Sequence, residues 1–373
     1  MKSIYPDQAA ERDRWILSRR ASKQVVDPLR PFAWLNEFEH SASGDIVSVL
    51  TIFLTNRECP WRCLMCDLWK NTLDHSVPRG AIPAQITFAI EQWMLTRKMA
   101  SNRCDSAQPT PEPRESHSTT SVRLDARQNK FTARLPDSRA EVKLYNSGSF
   151  FDPGAIPRED FPQIAERVHS FSRVIVECHP ALVNDHVLQF RDMLQGAGPA
   201  QSQSQGPSLE IAMGLETAHP DVLEKLNKRM TLGQYRRAAD FLLKHQIALR
   251  SFVLVQPPFL EKGEALVWAQ RSIDFAFDSG ASVVSLIPTR PGNGALDDLS
   301  RAGEFSPPRL ATLESALEYG LAQKRGRVFA DLWDLEKFSA CPTCFSKRLA
   351  RLSEINLHQE LRPPVICSNC SAQ

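Results

Sequence analysis

Residues 54–70 read LTNRECPWRCLMCDLWK and place Cys59, Cys63 and Cys66 in one short loop. The loop directly follows the β-branched and aromatic run IVSVLTIFLT, residues 46–55. A near-continuous apolar run is expected for a strand of a parallel sheet covered on both faces. It delivers Cys59 at its C-terminal end, the end at which α/β barrels build their active sites. Thiols spaced C-x3-C-x2-C can reach three corners of a 4Fe-4S cubane, whereas a complete protein cage needs a fourth thiolate. The iron left open can bind the amino and carboxylate groups of a substrate, as a catalytic zinc keeps one position for water. Three buried cysteines, or part of a zinc site, is the other reading of the same residues.

The rest of the chain frames that loop. With 373 residues, 42% of them hydrophobic, the chain can bury one large α/β core with a small appendage. No apolar run reaches the roughly 18 residues of a membrane helix. The opening MKSIYPDQAAERDRWILSRR has no apolar stretch of signal-peptide length. A cytoplasmic location is therefore expected, with no membrane partner. Nine cysteines, most of them in short-spaced clusters, point to metal ligation in a reducing compartment rather than to a disulfide framework. A net charge of +2 neither demands nor excludes nucleic acid.

Residues 1–45 form a basic extension with Arg12, Arg14, Arg19, Arg20 and Lys23 around Trp15. They read as a helix packed on the core or as a polyanion contact. Residues 82–96 carry the periodicity of a first crossover helix. From 97 to 140 the composition turns to Ser, Thr, Pro, Arg and Asp, which predicts a disordered insertion. Strands are then expected at 142–146, 173–178, 209–215, 249–255 and 283–288, with helices between them and a polar linker, QSQSQGPS, at 201–208. Six βα units in series with right-handed crossovers predict an α/β fold, a partial (β/α)6 barrel over residues 46–335.

Near the C-terminus CPTC (341–344) and CSNC (367–370) repeat a two-thiol knuckle. Cys341, Cys344, Cys367 and Cys370 can enclose one Zn²⁺ in a closed structural site, which makes 336–373 a small ribbon-like appendage. A second iron-sulfur cluster is the alternative. Lys347, Arg348 and Arg351 follow the first knuckle and either hold nucleic-acid phosphates or form a solvated face.

The cysteine spacing after the first core strand resembles the radical S-adenosylmethionine (SAM) enzymes, whose core is likewise a six-unit partial barrel. The resemblance implies a 4Fe-4S cluster on Cys59, Cys63 and Cys66, and SAM on the open iron. Asn146, Ser147 and Gly148 match the turn whose backbone receives the SAM amino group, although a Ser-Gly pair stands where the family carries Gly-Gly-Glu. Glu177 and Glu216, each ending an apolar run, match carboxylates that accept the ribose hydroxyls. The string GLETAHPDVLEKLNKRMT, 214–231, resembles the methylthiotransferase-like and Elongator-like branches and puts Arg229 on the SAM carboxylate. Gln256 stands where an adenine-binding backbone is expected, and Met65 where the family usually has an aromatic residue.

Across 46–335 the combination CPWRCLMCDLW, YNSGSFFDP and VECHP is similar to the radical SAM subunit of archaeosine synthase and its bacterial relatives. That resemblance implies radical completion of a 7-deazaguanine base in tRNA. It also implies an electron donor such as ferredoxin or flavodoxin, and a partner enzyme that prepares the base. A methylthiotransferase, another radical SAM enzyme acting on a substrate other than tRNA, and a non-catalytic iron-sulfur or nucleic-acid-binding protein remain the alternatives.

Overall fold

Residues 141–146 read Glu-Val-Lys-Leu-Tyr-Asn, and similar stretches of alternation recur along the chain. Side chains of a strand point to opposite faces in turn, so such a strand has one apolar and one polar face. The computed structural model, which describes residues 3–104, 140–196, 206–261 and 263–370, assembles these stretches into one sheet. Its strands follow chain order: β1 (Ala33–His40), β2 (Ile46–Leu54), β3 (Glu141–Asn146), β4 (Arg173–Glu177), β5 (Ser208–Glu216), β6 (Ala248–Val255), β7 (Val283–Pro288) and β8 (Arg327–Ala330). β1 pairs antiparallel with β2, and every later neighbour is parallel. The sheet curls into a half-barrel, the expected α/β architecture. Two strands beyond the expected six flank it, β1 on one edge and β8 on the other.

The helices are α1 (Ala9–Leu17), α2 (Ala81–Cys104), α3 (Phe161–Val168), α4 (Asp185–Gly196), α5 (Pro220–Lys225), α6 (Leu232–Lys244), α7 (Ala265–Asp278), α8 (Ala295–Arg301), α9 (Leu310–Ala322) and α10 (Pro342–His358). Leu50, Ile52, Val142 and Leu144 lie in one fully buried cluster with Ile82 and Ile86 of α2. Burying each such side chain contributes about 1.5–3 kcal/mol, which is what holds the crossover helices to the sheet. α2 runs on to Cys104, past the helix end expected at 96. The remainder of the expected insertion, 105–139, and positions 201–205 of the expected linker lie outside the described residues.

The inner face carries charge. Near the N-terminal ends of the strands Arg250 (2% exposed) bridges Glu210, at 2.7 Å, and Glu39. Arg173 reaches Glu210 at 3.0 Å and Glu141 at 3.4 Å, and Lys143 pairs with Glu39 at 2.5 Å. This network fills the barrel floor opposite the cysteine loop. Strand β1 belongs to the sheet because its alternate acids Glu37 and Glu39 face that network.

A parallel barrel that stops short leaves an edge strand with unpaired backbone groups, a template for unwanted pairing. Here α10 covers it. Gln359 Oε1 accepts from Val328 N (2.7 Å) while its Nε2 donates to Val328 O (3.0 Å). Asn356 does the same for Ala330, at 2.9 and 2.8 Å. Two carboxamides thus substitute for a ninth strand. The imidazole Nδ1 of His40, 3.1 Å from Leu357 O, ties the other edge to the same helix.

Candidate functional site

The cysteine loop is held by the residues between its cysteines. Leu64 is fully buried among Tyr5, Ile16, Leu296 and Leu299, which roots the loop between α1 and α8. Its N–H donates to Leu226 O (2.9 Å), and its carbonyl accepts from Asn293 Nδ2 (2.7 Å). Asn227 Nδ2 grips Arg62 O at 2.7 Å. Trp61 stacks on His179, ring centroids 3.9 Å apart. Met65 packs beside Phe259 at the ends of β6 and β7. Protein contacts at Arg62 and Leu64 therefore hold the loop.

At the strand ends Gly148 has a φ of +148°, and a Cβ there would stand 2.8 Å from Cys59 Cβ and 3.2 Å from its sulfur. The absent side chain leaves Cys59 its room. Asn146, 2% exposed, has both side-chain amide atoms without a partner. Burial pushes the Cys59 thiol up to about 12 and Cys66 to about 11, and it raises Cys63 as well. The nearby Lys228 ammonium opposes this rise at Cys59 and Cys63.

The mouth of the lumen is titratable. Burial raises Glu177 to about 8, although Asn146 N donates to its carboxylate at 3.0 Å. Glu216 is ion-paired with Lys228. His179 is drawn down to about 4, first by burial and then by Lys228. Its Nδ1 accepts from Ala181 N (3.2 Å), so its Nε2–H donates to Lys228 O (3.0 Å), and the ring is neutral.

A carboxyl raised by folding holds its proton longer in the native state than in the unfolded chain, so its contribution to stability falls as pH rises between the two values. Stability should therefore lose a component between about pH 4.5 and 8. Urea unfolding of Glu177→Gln should show a flatter profile across that window, and a slope equal to the parent's would refute the assignment.

Ser147 Oγ donates to Leu68 O at 3.2 Å and ties β3 to the cysteine loop. Gln256, in the left-handed region at φ +56°, spends its amide on Ser306 O at 2.7 Å. Arg229 points away from the lumen, with its guanidinium on Asp13 Oδ2 and Ala9 O, both 2.8 Å, in or beside α1. The neighbouring Lys228 is the cation that enters the lumen, and the sequence alone did not single it out. His179 and Asn293 are further site residues that it missed, since isolated polar residues carry no spacing signal.

Cys341, Cys344, Cys367 and Cys370 offer sulfurs that all lie within 4.8 Å of one another. The Cys341–Cys367 and Cys344–Cys370 separations are 4.0 and 3.5 Å. Four sulfurs about 2.3 Å from one tetrahedral ion stand about 3.8 Å apart, so this group can hold a single metal. Cys341 caps α10, and the backbone N–H of Cys344 leads in drawing its thiol down to about 6. Among the described residues the loop cysteines form no such single-ion group.

One basic expectation needs correction, and another is decided in favour of packing on the core. Arg348 pairs with Glu314 at 3.0 Å and Arg351 with Glu318 at 2.5 Å, so both fasten α10 to α9 instead of facing a polyanion; Lys347 alone of the three is exposed. In the N-terminal extension Arg20 and Lys23 both hold Glu58 at 2.7 Å, and Arg19 stacks on Trp15 while pairing with Asp298. These charges dock the extension on the barrel.

No family model matches the sequence. The chain is similar to an uncharacterized protein of Methanocaldococcus jannaschii, 22% identical over 330 residues, or 85% of this chain and 77% of that one. Coproporphyrinogen III oxidase from Escherichia coli, a radical SAM enzyme, aligns with 73% of this chain and 52% of its own at a TM-score of 0.38 and 11% identity. The chain resembles the class of radical SAM proteins. Within it, archaeosine synthase subunit beta of Methanosarcina acetivorans is 25% identical over 186 residues, 48% of this chain. The match spans about half, 51%, of that relative. No helix among the described residues is long and apolar enough to cross a membrane.

Proposed function

We propose that the chain is a radical SAM enzyme that modifies a 7-deazaguanine base of tRNA. The observation that carries the first half is the three-thiol loop at the C-terminal ends of a parallel half-barrel, with a glycine opposite Cys59. The second half rests on the similarity to archaeosine synthase subunit beta. Cys59, Cys63 and Cys66 would hold the 4Fe-4S cluster, and Asn146 to Gly148, Glu177, Glu216, Met65 and Gln256 line the place for SAM. A SAM-loaded cluster, when bound, supplies a 5′-deoxyadenosyl radical on one-electron reduction by a donor such as ferredoxin or flavodoxin.

The chain's own residues do the rest. Glu177 keeps its proton at neutral pH and can donate to a hydroxyl oxygen, whereas the Glu216 carboxylate accepts from one. Leu64, Asn227 and Asn293 fix the loop so that little ordering is left for cofactor binding.

Anaerobic reconstitution with iron and sulfide, then dithionite and SAM, should release 5′-deoxyadenosine. The Cys59→Ala, Cys63→Ala, Cys66→Ala variant should release none, and a parent with full cluster absorbance that leaves SAM intact would refute the reading.

The C-terminal quartet would hold zinc, because its sulfur separations suit one ion. Metal analysis should find one zinc beside the iron, and the Cys367→Ser, Cys370→Ser variant should lose the zinc while keeping the iron. Iron in the quartet would instead make it an auxiliary cluster.

A further inference from the structure

Four consecutive residues, 226–229, touch the cysteine loop, α1 and the turn after β4. Leu226 O takes Leu64 N, Asn227 Nδ2 takes Arg62 O and also reaches Asp13 Oδ1 at 2.7 Å, Lys228 O takes His179 Nε2, and Arg229 is fastened to α1. Asn227 and Arg229 are both left-handed, at φ +58° and +59°. Non-glycine residues there are strained by about 1–3 kcal/mol each and mark functional sites when the surroundings enforce them. The two reversals send Lys228 to Glu216 while Asn227 turns to the cysteine loop and Arg229 to α1. Room for it comes from Gly214, where a Cβ would stand 2.2 Å from Lys228 Nζ.

We infer that Lys228 is a positioning residue whose buried ammonium, fixed beside the cysteine loop by this strained turn, raises the reduction potential of the cluster bound there. The inference rests on the reading that Cys59, Cys63 and Cys66 hold a 4Fe-4S cluster. A buried ion pair gives little net stability over an apolar pair of the same shape, so the Lys228–Glu216 pair needs another reason to exist. Reduction adds one negative charge to the cluster, and its potential follows local charge, hydrogen bonds to sulfur and exposure. A fixed ammonium favours the reduced state, and Glu216 partly offsets it.

An EPR-monitored redox titration of the reconstituted full chain tests this. Lys228→Met should move the midpoint potential down, Glu216→Gln should move it up, and Lys228→Arg should stay near the parent. A purely structural role would shift both single variants alike through loosened packing, so equal potentials or shifts of the same sign overturn the inference. Iron per chain is measured for each variant. If Lys228→Met takes up no cluster, a Glu216→Gln potential that fails to rise is enough to overturn it. A parent chain that binds no reducible cluster overturns the proposed function itself, which separates the two failures.

Discussion

Replacing Arg250 with methionine should destabilise the fold by about 3–5 kcal/mol, the range for a buried ion pair that loses one partner. Arg250 is the centre of the barrel floor and serves Glu39 and Glu210 together, both of which it holds below the usual carboxylate range. Without it Glu39 retains Lys143, and Glu210 retains Arg173 at 3.0 Å and Arg327 at 3.8 Å, so the lower end of the range applies. The pH dependence has a definite sign. A carboxylate lowered by folding stabilises above its unfolded value and loses that contribution as pH falls. The parent's advantage should therefore be full above about pH 5 and shrink in acid, where both carboxyls of the variant gain protons. Urea unfolding at pH 7 and pH 4 measures it, and a loss below 1 kcal/mol at pH 7 would show that the floor does not depend on Arg250. Adding Glu39→Gln and Glu210→Gln should recover part of the loss by removing the stranded charges.

How much of this was legible in the sequence depends on the distance over which each signal acts. The six expected strands were readable because apolar runs and alternation are local. β8 has only four residues, RVFA, too short for a period to show. β1, AWLNEFEH, reads as a charged extension unless the cations that its glutamates meet are known, and those stand on β3 and β6. Cys59, Cys63 and Cys66 announce themselves by spacing. Lys228 does not, because it differs from Arg229 by one position and only the left-handed turn decides which of the two enters the lumen. Arg348 and Arg351 looked like free charge because their partners Glu314 and Glu318 lie more than thirty positions away.

The Gly148→Ala substitution should abolish most cluster uptake while leaving the barrel folded. Two costs combine at this site. The backbone lies at φ +148°, where an L side chain costs about 1–3 kcal/mol. The new methyl would also stand 2.8 Å from Cys59 Cβ, closer than real Cβ atoms approach, so one of the two strands' loops must move. Cys59 is the one to yield, because Leu64, Asn227 and Asn293 fix the far part of the loop and the new methyl meets Cys59 directly. A displaced Cys59 leaves two thiolates where the cluster needs three. Gly44→Ala provides the control, since φ is +92° there and nothing lies within 4 Å of the added methyl. It should show the backbone cost alone, with iron content and cluster absorbance equal to the parent's. Iron per chain after anaerobic reconstitution, read beside circular dichroism, separates the outcomes. A Gly148→Ala protein that is folded and loads a full cluster would show that Cys59 reaches its iron without the space that Gly148 leaves.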